Sequence, residues 1–124
     1  MAKYERIFRG DFDAVVGRVH DGVLSASMSA SYEDGSNIEP RGVDVRCAVR
    51  VFERYSAFGG NRVAMNVTIV GVGDRVFVSA ITAGGSRAVV WKVNTLGEED
   101  FLRTLTDIVE PMAKAAPDDD VPAP

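Results

Sequence analysis

Val43-Asp44-Val45-Arg46-Cys47-Ala48-Val49-Arg50-Val51-Phe52-Glu53-Arg54 decides the fold. Val43, Val45, Cys47, Val49 and Val51 occupy every second position, with Asp44, Arg46, Ala48, Arg50, Phe52 and Arg54 between them. A period of two is that of an extended strand, and the β-branched residues favour it. Downstream, Ser56 to Asn61 with paired Gly59 and Gly60 offers a reversal, and Val63, Met65, Val67 and Ile69 resume the alternation against Asn66 and Thr68. Gly71 to Asp74 turns the chain again, Arg75 to Ile81 reads as a fifth strand, Gly84-Gly85 as a turn, and Arg87 to Asn94 as a sixth strand. Hairpin connections make such neighbours antiparallel.

Upstream of the deciding stretch, Glu33 to Gly42 is dense in turn formers (Asp34, Gly35, Ser36, Asn37, Pro40) and predicts an exposed loop. Before it, Ser25, Ser27, Ser29 and Ser31 alternate with Ala26, Met28, Ala30 and Tyr32, a second strand. Asp11 is a helix N-cap candidate, and Phe12, Val15, Val16, Val19 and Val23 recur at helical spacing to near Ser25. Lys3 to Arg9 alternates as a short first strand with a charged edge.

At the other end, Thr95 and Glu98 form a capping-box pattern, with Glu98, Glu99 and Asp100 suited to the positive end of a helix dipole. Phe101, Leu102, Leu105, Ile108, Val109 and Met112 give that helix its apolar face, and Pro111 falls near its end. Residues 115–124 are small, acidic or proline, a tail with too little to bury, after a single α+β domain over 1–114. The expected fold is therefore α+β: an antiparallel meander sheet of five to six strands with two helices on one face.

The totals narrow the classes of function. A chain of 124 residues with 46% hydrophobic and 26% charged residues supports one core without staples, and neither disorder nor a membrane composition is indicated. Asp74, Arg75 and Arg87 break the most apolar region well short of a membrane span. Cys47 stands alone, and no charged-then-apolar leader precedes Lys3, Glu5 and Arg6, which points to a reducing cytoplasmic setting. A net charge of -4 argues against nucleic acid, although eight basic residues against three acidic ones lie between Arg41 and Lys92.

Candidate chemistry dissolves into structure. His20, the sole histidine, lies at the border of the first helix's apolar stripe with no nominated partner. Cys47 is in phase with Val45 and Val49, a setting that suppresses the thiolate. Gly71-Val72-Gly73 is followed by a strand where a dinucleotide fingerprint needs a helix, and Gly59-Gly60 and Gly84-Gly85 lack the Lys-Ser or Lys-Thr of a P-loop. Glu98, Glu99 and Asp100 are explained by their helical turn, so no metal and no cofactor are expected. Asn66-Val67-Thr68 fits a glycosylation sequon only inside a strand.

One pattern retains interest. With Val45, Cys47, Val49 and Val51 turned to the helices, Arg46, Arg50, Phe52 and Arg54 face outward, and Lys92 joins them from the sixth strand. Phe77, Ile81, Val70 and Val90 are apolar for a wet surface and mark contact with something. The leading expectation is a non-catalytic binding or assembly module that self-associates through the outer sheet face or an edge. The second is a small-molecule domain with its pocket between the second helix and the sheet, and the third an enzyme holding an anionic substrate on Arg50 and Arg54.

The order strand, helix, strands, helix resembles the TATA-binding-protein-like and helix-grip architectures, a likeness that implies no function. Tyr4-Glu5-Arg6 with Gly10-Asp11-Phe12-Asp13, Arg50 to Tyr55 leading to Gly59-Gly60-Asn61-Arg62, Ser79 to Thr82 with Gly84-Gly85-Ser86, and Asn94-Thr95 with Gly97-Glu98-Glu99 resemble a family of small bacterial proteins known as a domain of unknown function. The resemblance implies a bacterial origin and carries over no catalytic residue.

Overall fold

The computed structural model describes residues 1–55, 62–84 and 91–118, with side chains of 91–96 left aside. In chain order the elements are β1 (Ala2–Arg9), α1 (Phe12–Ala26), β2 (Ser31–Ile38), β3 (Val45–Tyr55), β4 (Arg62–Val72), β5 (Arg75–Gly84) and α2 (Trp91–Ala115). The sheet order is β1-β5-β4-β3-β2, with every pair antiparallel. Thus β2 to β5 form a meander, and α1 carries the chain from the β1 edge to the β2 edge. Both helices pack on one face of the sheet.

Local chemistry explains the starts and stops. Asp11 is extended, and its carboxylate accepts the Ala14 N–H at 2.9 Å, satisfying a donor that the first turn of α1 leaves open. Gly73 adopts φ +58 between β4 and β5, where a tight reversal needs the left-handed region. Val15, Val19 and Val23 of α1 and Phe101, Leu105, Val109 and Ala113 of α2 recur at four-residue spacing and are fully buried. They close on Phe8, Phe52, Met65, Ile69, Val76 and Val78 of the sheet, one continuous core. Two glycines set how closely the layers approach. A Cβ on Gly22 would lie 2.6 Å from Ile108 Cδ1, and one on Gly71 would lie 2.8 Å from Phe12 Cδ2.

The two sides of β3 are the reverse of the expected ones. Ala48 and Phe52 are buried beneath the helices, opposite Ile69 and Met65, so Val45, Cys47, Val49 and Val51 point away from them. Both sides of β3 carry apolar residues, and the long arginines do not demand the wet side: their stems lie under the helices while their heads reach the rim. Phe52 is therefore a core residue and no part of a binding surface.

The chain also departs from expectation at three boundaries. Ser25 and Ala26 end α1, and β2 occupies Ser31–Ile38, much of it in the segment read as loop. As an edge strand β2 needs only one partner, and its register slips between Tyr32 and Asp34, which accommodates its turn-forming residues. Trp91 to Asn94 belong to α2, not to a sixth strand, while Arg87 to Val90 and the Gly59-Gly60 reversal lie outside the described residues. With the helix starting at Trp91, Thr95 and Glu98 lie inside it and are no capping box; Glu98 instead serves β5, its carboxylate accepting the Gly84 N–H at 2.8 Å and its carbonyl the Thr82 hydroxyl at 3.1 Å. Finally, the start of the presumed tail is docked. The Arg9 N–H donates to the Ala116 carbonyl at 2.8 Å, Pro117 bridges Phe8, and the buried Asp118 carboxylate meets Arg75 Nε at 3.1 Å.

Candidate functional site

Three arginines of β3, at positions 46, 50 and 54, line up on the helix-facing side, and they have different surroundings. Arg46 makes a bidentate pair with Asp13 of α1, at 2.7 and 2.8 Å, and donates through Nε to Glu39 at 3.0 Å. Its guanidinium lies 4.6 Å from the Phe12 ring centroid. The hydrogen bonds from Arg46 hold the Asp13 carboxyl below its ordinary range, and the Asp13 and Glu39 carboxylates hold the guanidinium charged above its own. Arg54 shares the helix carboxylate and the ring, with Nη2 at 2.5 Å from Asp100 of α2 and the guanidinium 4.9 Å from the Phe101 centroid, while its buried Nε has no acceptor among the described residues.

Arg50 lies between them and has no carboxylate within ion-pair distance among the described residues. Its Nη1 donates to the carbonyls of Ser36 and Val49 at 3.2 and 2.9 Å, and Nη2 donates to Asn37 Oδ1 at 2.8 Å. It borders a cleft of about 420 Å³ between α1 and the β2–β3 pair, where Val16, Gly17, His20 and Asp21 face Tyr32, Gly35, Ser36 and Asn37. The His20 ring packs edge-on to Tyr32, with centroids 5.0 Å apart, and lies 5.8 Å from Phe52. Of the residues nominated from sequence, the structure thus brings Arg50 to a cleft, commits Arg46 and Arg54 to ion pairs and Phe52 to the core. Lys92 lies in the first turn of α2, its side chain outside the described residues. Sequence reasoning missed Ser36 and Asn37 because their segment looked like a loop, and Tyr32 because it was read only as one residue of an alternating strand. The usable signal was Gly17, an unexplained glycine inside a helix one turn after Asp13.

The other face of the sheet carries Ile7, Cys47, Val49, Val51, Val70, Phe77 and Ile81, none of them buried, and Ile81 and Val72 are 42% and 50% exposed. The pairs Ile7 with Phe77 and Cys47 with Val70 run this apolar surface across neighbouring strands. A shallow depression of about 280 Å³ lies on it, lined by Ile7, Val70, Val72 and Phe77 beside Arg75 and Asp118.

Space beneath α2, the place expected for a ligand pocket, is occupied by the buried side chains of Phe101, Leu105 and Val109. No group of three or more His, Cys, Asp or Glu among the described residues is disposed to hold a metal ion. No helix among them is long and apolar enough to cross a membrane. No curated protein and no solved structure matches the chain. The model of a family described as a family of unknown function (DUF6054) matches residues 1–113, from β1 to the last turn of α2. On that match, over nearly the whole length, the chain belongs to this family of unknown function.

Proposed function

We propose that the chain is a non-catalytic assembly module that pairs with a second copy of itself through the uncovered face of its sheet. The observation that carries this reading is the apolar surface of Ile7, Val49, Val51, Val70, Phe77 and Ile81 on the side away from the helices. Five strands at the usual spacing, each about ten residues long, present roughly 800 Å² per face, so stacking two such faces covers about 1,600 Å², a standard stable interface. Aligned stacking of sheets is an ordinary solution for such surfaces.

Charge placement supports a second copy as the occupant. One row across the sheet runs Lys3, Ile81, Asn66, Val51 and Asp34, basic at the β1 edge and acidic at the β2 edge. A twofold axis along the strands lays two such rows head to tail, with Lys3 of each copy opposite Asp34 of the other. A cytoplasmic location, a bacterial origin and kinship with helix-grip or TATA-binding-protein-like folds belong to the same reading. They are supported by the single free Cys47, the four segments noted above and the element order.

Sedimentation across a wide concentration range tests the proposal: a dimer mass is expected, and Val51→Asp with Phe77→Asp should return a folded monomer with an unchanged far-ultraviolet spectrum. A strict monomer at high concentration overturns it, as does a dimer that survives both substitutions.

A further inference from the structure

We propose that the cleft between α1 and the β2–β3 pair binds a small molecule carrying a single carboxylate, seated on Arg50. This site lies on the helix side of the sheet and does not depend on self-association.

Arg46 and Arg54 are the internal controls. Each repeats one arrangement, a helix carboxylate on the guanidinium and a helix phenyl ring beneath it. Arg50, on the same strand and face and also half-buried, is held instead by two backbone carbonyls and the Asn37 side chain. Those bonds fix the plane of the guanidinium without neutralising it, and they leave Nε–H and one Nη2–H without an acceptor among the described residues. A half-buried cation so arranged favours an incoming anion, and a guanidinium suits a planar carboxylate.

The helix makes room for that anion. Asp13 reaches Arg46, but one turn later the helix carries Gly17, where a Cβ would meet nothing within 4 Å among the described residues. Glycine inside a helix costs about 1 kcal/mol relative to alanine, a cost with no packing return at this position. Gly35 is fixed for a different reason, since a Cβ there would lie 2.5 Å from the Val49 carbonyl and 2.6 Å from the Tyr32 hydroxyl. Its absence lets the Tyr32 ring close one wall, with His20 edge-on against it. Val16 adds apolar surface, so the body of the ligand is a flat or apolar group. A cleft of about 420 Å³ is of the size that holds small metabolites. Asp21 also lines it, which disfavours a doubly charged phosphate relative to a monoanion.

Heteronuclear NMR titration of the whole chain with benzoate, benzamide and phenyl phosphate tests the site. Benzoate should shift the amides of Val16, His20, Gly35 and Asn37 with a Kd of about 1 mM, and benzamide and phenyl phosphate should bind about tenfold more weakly. Arg50→Gln should weaken benzoate about tenfold, whereas Arg54→Gln should leave it unchanged. Gly17→Leu should also weaken it about tenfold while the melting temperature holds or rises, which separates a blocked cleft from a lost fold. The proposal fails if benzoate moves none of these amides at about 10 mM, if benzamide binds as well, or if Arg50→Gln retains full affinity.

Discussion

On the roofed face of the sheet, Phe52, Met65, Ile69 and Val78 lie in full contact with helix residues, whereas on the opposite face Val51, Val70, Phe77 and Ile81 remain partly open to solvent. Both carry large apolar residues, although Glu5, Asn66, Thr68 and Ser79 are interleaved with them on the open face. What separates them is that α1 and α2 deliver their apolar stripes to one side only, so the same kind of side chain is closed into the core on one face and left partly open to solvent on the other. The contrast turns on adjacent residues: Val51 and Phe52 are neighbours in the chain and face opposite ways.

The largest expected break in this comparison comes from Phe52→Ala, which should cost about 3–5 kcal/mol because it opens a cavity in a closed core. Val51→Ala, measured by denaturant at low protein concentration, should cost less than about 1 kcal/mol. Equal losses at the two positions would erase the distinction between the faces.

Layer spacing offers the next test. Gly71→Val places atoms against Phe12 and should destabilise by about 1–3 kcal/mol, whereas Gly17→Ala, with free space around it, should stabilise by up to about 1 kcal/mol. Thermal melts of the two variants read the difference directly, and opposite signs are required.

Tyr4 ties β1 to α2 through a 2.8 Å hydrogen bond donated to Glu110. Burial first, then that bond, raise the phenol above its ordinary value, so the protonated form is favoured in the fold. Its share of stability is complete below the ordinary phenol pKa of 10.0 and is lost as pH climbs beyond it. Tyr4→Phe should cost about 1 kcal/mol at neutral pH and flatten the alkaline decline in denaturation midpoints.

The smallest effect is expected at the rim. Asp13 titrates below its ordinary range because Arg46 hydrogen-bonds its charged form, so its contribution is present above the unfolded pKa and disappears as pH falls through the folded one. Asp13→Asn should lower the melting temperature slightly at neutral pH and not at all in strong acid, as exposed ion pairs do.

The alternation of strands and helices was legible as far as β5, and α2 was legible from Phe101 onward, because Val45 to Phe52 and Phe101 to Met112 carry clean periods of two and of about 3.6. Which side of β3 is covered was not, since Ala48 and Phe52 alternate as regularly as Val49 and Val51. Only the register, which sets Phe52 against Met65, resolves it. The edge strand β2 was hidden because Asp34, Gly35, Ser36 and Asn37 have turn chemistry, and a strand with a single neighbour tolerates what a central one would not. Arg50 was singled out for its charge, but its distinction from Arg46 and Arg54 lies in Asp13 and Asp100, acids brought near only by the fold.

Pro117 has a consequence for how such a sheet ends sideways. It sits across from Phe8 at the outer margin of β1, beside the hydrogen bond from Arg9 to Ala116. Having no N–H to offer, it withholds the next rung from any strand arriving at that margin, while the slipped register near Glu33 spoils the straight ladder along β2. Lateral accretion into ribbons is thereby discouraged at both flanks.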